Sequence, residues 1–77
     1  MKRLRWETDR RFYAVRVYQD LFNDWVVERA WGGKKSNLGN RSQEVLFTYS
    51  DAEQVIEKIK KERLAHKYDL VESIFLQ

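Results

Sequence analysis

Trp31 heads the short run of this chain best suited to chemistry: Trp31-Gly32-Gly33-Lys34-Lys35, with Arg29 just before it and Arg41 shortly after. An indole beside bare backbone can stack on a base or a sugar, while cations around it meet phosphate oxygens. In an extended strand Trp25, Val27, Arg29 and Trp31 point to one side, so Trp31 and Arg29 would share a face. The same tryptophan could instead plug one end of a small core, and the residues alone leave both readings open.

The residue types that catalysis needs are poorly placed. The chain has one histidine and no cysteine. His66 lies near the end of a lysine-rich segment, where an imidazolium suits a helix C-terminus and nothing suggests a Ser-His-acid set. Asp20 and Asp24 flank a turn and read as turn formers. Gly32-Gly33 is followed by a basic loop and a strand, which is not the strand–loop–helix context of a phosphate-cradling motif. Without cysteine there is no disulfide and no thiolate metal site, and His66 cannot hold zinc without carboxylates or a partner chain. The expectation is a non-catalytic protein with no cofactor, no structural metal and no small-molecule substrate.

Charge points to the partner. Residues 1–42 hold ten Lys and Arg against five Asp and Glu (net +5), and residues 43–77 hold five against seven (net −2). A basic N-terminal half suits an anionic partner such as nucleic acid, although a mixed-charge solvated surface would look the same by count. No apolar run approaches the length of a membrane span, and no signal-peptide core follows the basic start. A soluble, cytoplasmic protein with no membrane partner is expected.

With 77 residues, a single domain over 1–77 is expected, its bulk supplied by three Trp, four Tyr and four Phe. Arg11–Tyr18 is β-branched and aromatic, with Tyr13, Val15 and Val17 on one face. After a turn at 19–24, Trp25–Trp31 reads as a second strand able to pair with the first as a hairpin. Gly32 and Gly33 would end it through backbone angles that other residues avoid. A polar loop over 34–40 follows, then a strand at about 42–49 with Val45, Phe47 and Tyr49 on one face. Ser50-Asp51-Ala52-Glu53 fits a capping box opening a helix from Asp51 to about Lys67, with Ala52, Val55, Ile56 and Ile59 as its apolar stripe. The tail over 69–77 carries Leu70, Val71, Ile74 and Phe75; it fits a short helix or an extended edge segment. It could cover an open sheet face or dock a protein partner.

A strand ending in Trp31-Gly32, a basic loop, another strand and one capped helix resembles the WGR domain. Arg11-Phe12-Tyr13, Phe47-Thr48-Tyr49-Ser50 and Lys67-Tyr68 extend the resemblance over about 11–68, taken as the core. The resemblance implies an α+β fold: a small antiparallel sheet of three to five strands with one helix packed on one face. It also implies a nucleic-acid module of the kind found in poly(ADP-ribose) polymerases and in short bacterial proteins, with DNA the first candidate and its ends a candidate target. The family tryptophan that contacts DNA maps onto Trp31 and its glycine onto Gly32; the family arginine is replaced by Gly33. The expected binding set is Trp31, Gly32, Arg29, Lys34, Lys35 and Arg41. The alternative is a protein-interaction module that binds no nucleic acid.

Overall fold

The computed structural model describes residues 1–36 and 38–75. Asn37 of the expected 34–40 loop, residues 76–77 of the tail and the Phe75 side chain lie outside the described residues. The described elements run β1 (Lys2–Glu7), β2 (Arg11–Gln19), β3 (Trp25–Gly33), β4 (Gly39–Leu46), α1 (Tyr49–Ala65) and β5 (Asp69–Phe75). The strands form one antiparallel sheet in the order β4-β3-β2-β1-β5. With α1 on one face, this is the expected α+β architecture.

Alternation decides which side of each strand the helix covers. Leu4 and Trp6 of β1, Tyr13, Val15 and Val17 of β2 and Val27 of β3 are buried on that side. Ala52, Ile56 and Ile59 of the helix meet them, and Trp25, Trp31, Leu46, Val55 and Tyr68 pack around the rim. Aromatic bulk makes a core in so short a chain: Trp6 meets Tyr13 edge-on at 6.3 Å, and Trp25 packs on Tyr49 at 4.8 Å.

Several local expectations are corrected. The helix cap is Thr48, not Ser50: its Oγ1 accepts from the Asp51 amide at 3.1 Å, so the helix begins at Tyr49 and Glu53 closes no capping box. The third expected strand is shifted to Gly39–Leu46, and its inward residue at the core end is Leu46. Val45, Phe47 and Tyr49 do not share a strand face: Val45 is 61% exposed, Phe47 lies beyond the strand and is 89% exposed, and Tyr49 opens the helix. Among the described residues no glycine has positive φ, and Gly32 and Gly33 lie within β3. Gly32 is needed for space: a Cβ there would sit 3.2 Å from the Leu38 carbonyl oxygen and 3.3 Å from Gly39 Cα. Of the two readings of the tail, the extended edge segment holds for residues 69–75, which leave the open face uncovered. Residues 69–75 pair with β1 as an edge strand, with a register shift between Arg5 and Trp6. Strands β1 and β5 both lie outside the 11–68 stretch of the resemblance.

Candidate functional site

The end of the helix determines what gathers around Trp31. Lys67 adopts φ 62°, the Lys67 amide donates to the Leu64 carbonyl at 3.0 Å and the Tyr68 amide to the Arg63 carbonyl at 2.9 Å. This is a Schellman turn, which folds the residue after the left-handed position back over the last helical turn. Tyr68 is returned in this way onto Arg63, whose guanidinium lies 4.9 Å from the Tyr68 ring centroid and 4.2 Å from that of Tyr13. Tyr13 in turn stacks on Trp31, with ring centroids 5.8 Å apart and planes 18° apart. Tyr68, Arg63, Tyr13 and Trp31 make one continuous aromatic and cationic layer.

That layer floors an open cleft of about 610 Å³ at one end of the helix face of the sheet. Arg11 and Arg29 line it with Arg63 and His66; Thr8 and Ser42 add hydroxyls. Arg11 opens β2 on the same side as Tyr13, and Arg29 precedes Trp31 by two positions on β3. The Thr8 hydroxyl accepts from the Arg11 amide at 3.1 Å, fixing the β1–β2 turn beside the cleft. The Arg63 Nε is buried and has no hydrogen-bond partner among the described residues. Burying such a donor is costly. The cleft therefore offers π-faces, three guanidiniums and one imidazole, the combination that stacks on a ring and holds anionic oxygens.

The expected binding residues divide between the two faces. Trp31, half-buried, and Arg29 line the cleft; Arg29 also pairs with Glu44 at 3.3 Å. Gly32 is buried within β3 and packs against the β3–β4 connection, so it shapes the strand end. Lys34 turns to Glu7, 2.8 Å away, and that contact together with Arg5 lowers the Glu7 carboxyl below its ordinary range. Lys35 is exposed in the turn after β3. Arg41 is opposite Ala30 in the register and so lies on the open face, away from Trp31. Sequence reading missed Arg11, Arg63, Tyr13 and Tyr68 as site residues. Arg63 carried a readable signal, being a cation four residues beyond Ile59 on the buried stripe of the helix.

The open face holds a separate polar network. Glu28 accepts from Tyr18 at 2.7 Å, from Gln43 at 2.7 Å and from Arg16 at 2.8 and 3.1 Å. The Tyr18 hydroxyl is the main cause holding Glu28 below the ordinary carboxylate range, helped by Arg16 and Gln43. The same bond raises the Tyr18 phenol.

Comparison with known proteins adds no family: no family model, curated protein or solved structure matches the chain. Among the described residues no group of three or more His, Cys, Asp or Glu side chains could hold a metal ion, and no helix is long and apolar enough to cross a membrane.

Proposed function

We propose that this chain is a WGR-like, non-catalytic module that binds nucleic acid, DNA in the first place, through the cleft beside Trp31, and that it works in the cytoplasm. The observation that carries the reading is the layer of Tyr68, Arg63, Tyr13 and Trp31 ringed by Arg11, Arg29 and His66. Trp31 is braced from one side by Tyr13, so its orientation is set before a ligand arrives. A terminal base or sugar would stack on the open part of the indole, as base–aromatic stacking is tolerant of sequence. Guanidiniums make planar, bidentate contacts to phosphate that a lysine cannot reproduce. Arg11, Arg29 and Arg63 supply that fork at the site, where Gly33 does not. A strand end suits the geometry because unpaired or terminal nucleotides expose the ring face that a continuous duplex hides.

Fluorescence anisotropy at low salt, with a blunt duplex compared with the same duplex closed by hairpins at both ends, tests the proposal. Three phosphates neutralised by three arginines give a log–log salt slope of about −2.7. Trp31→Ala, shown folded by circular dichroism, should weaken binding by about tenfold, taking stacking at ~1–3 kcal/mol. Binding no tighter than that of a charge-matched control protein, or unchanged in the folded variant, overturns it.

The second reading, a protein-interaction module, draws on Leu70 and Val71, which are 51% and 54% exposed on the edge strand β5. An edge strand offers free backbone groups to an added strand. Sedimentation of the intact chain separates the readings, since pairing through this edge would produce a dimer.

A further inference from the structure

We propose that the uncovered face of the sheet is a second binding site, for a compact polyphosphate group of the pyrophosphate type, independent of the cleft beside Trp31. In the register Arg41, Ala30, Ala14 and Arg5 stand in one row across β4, β3, β2 and β1. Gln43, Glu28, Arg16 and Arg3 form the next. The two alanines leave a depression of about 580 Å³, and all four arginines line it. Adjacent strands are ~4.8 Å apart, so Arg41 and Arg5 stand ~14 Å apart across that methyl floor.

Two of the arginines in the walls are held in place by carboxylates and rings. Arg16 is fixed by Glu28 and lies over the Tyr18 ring at 5.4 Å; Arg5 is held by Glu7 at 2.8 Å and lies over Phe12 at 4.7 Å. Both oxygens of Glu28 are taken by Arg16, Tyr18 and Gln43, so its charge is compensated within the wall. Glu7 is likewise shared between Arg5 and Lys34. Arg3 and Arg41 make no ion pair among the described residues. Glu72, opposite Arg5 on β5, joins Glu28 as the second carboxylate of the lining. Arg5 and Arg16 are matched by Glu7 and Glu28, which leaves the Arg3 and Arg41 guanidiniums, on two sides of the floor, for a ligand. Arg3 and Arg41 flank one small floor from opposite sides and are not strung along a single strand, which disfavours an extended phosphodiester backbone. A compact group with several negative charges fits.

Amide chemical-shift titration of the full chain with sodium pyrophosphate and with ADP, and with glutarate at matched ionic strength, tests the assignment. Shifts should concentrate at residues 3, 5, 14, 16, 30 and 41. Arg41→Ala should weaken pyrophosphate binding about tenfold, the size of a charge-assisted hydrogen bond. Ala14→Leu or Ala30→Leu, which fill the floor and leave every charge in place, should weaken it at least as much. The proposal is overturned by silence at these residues, by shifts confined to residues 11, 29, 63 and 66, by equal response to glutarate, or by unchanged affinity in a folded floor-filling variant. Because Ala14→Leu should leave duplex binding untouched, failure here is distinguishable from failure of the nucleic-acid reading.

Discussion

Arg63→Met should separate binding from stability, because the two effects of this arginine on the fold oppose each other. Its guanidinium lies over both Tyr13 and Tyr68, and each cation–π contact contributes about 0.5–2 kcal/mol depending on desolvation. Against that stands the buried Nε with no partner, a cost of about 1–3 kcal/mol. Methionine keeps the apolar stem between the rings and removes both the charge and the orphaned donor. The sum is a stability change within about 1 kcal/mol, or less than about 8 °C in Tm for a domain of this size. Binding behaves differently, since a guanidinium–phosphate contact is worth about 1.5–3 kcal/mol, a loss of at least tenfold. The salt slope should also shrink by about 0.9. Thermal melts and anisotropy at several salt concentrations read both effects. A variant destabilised by more than about 3 kcal/mol with unchanged affinity would show that Arg63 is a structural strut and not a phosphate contact.

Other substitutions probe the parts that hold the site in place. Thr48→Ala should cost about 1 kcal/mol by removing the helix cap, while Ser50→Ala should be nearly neutral; urea melts of the pair decide which residue caps. Gly32→Ala should destabilise by about 1–3 kcal/mol through contact with backbone on the β3–β4 connection. Gly33→Ala meets nothing closer than 3.6 Å and should be neutral or slightly stabilising, again by urea melts. Glu28 titrates below its ordinary range in the folded chain, so its contribution to stability is present above the unfolded-state value and is lost as pH falls through the folded one. Tyr18→Phe removes the leading cause, so melts at neutral pH should show the variant less stable, and the gap should close as pH falls through the folded-state titration of Glu28.

The sequence was most legible where one face is buried and the pattern is local. Tyr13, Val15 and Val17 alternate on β2, and Ala52, Ile56 and Ile59 mark the helix, each set read from spacing alone. Strand β1 went unread because Leu4 and Trp6 are too short an alternation among Lys2, Arg3, Arg5 and Glu7 to register. The edge strand β4 puts little but Leu46 into the core, so the aromatic rings of Phe47 and Tyr49 drew the expected face out of register. Site residues followed the same rule. Trp31 and Arg29 were brought together by strand parity. Arg41 was lost to the other face by a register that its own neighbours do not encode. Arg11, Arg63 and Tyr68 reach Trp31 only through sheet order and the Schellman turn, which are non-local.

Amide chemical-shift titration with a short blunt-ended duplex shows where on the protein nucleic acid binds. Binding in the cleft beside Trp31 gives saturable shifts at residues 11, 13, 29, 31, 63, 66 and 68, with the Trp31 indole N–H among the largest. Shifts absent from that set, or found only on the open face at residues 3, 5, 16 and 41, would contradict it.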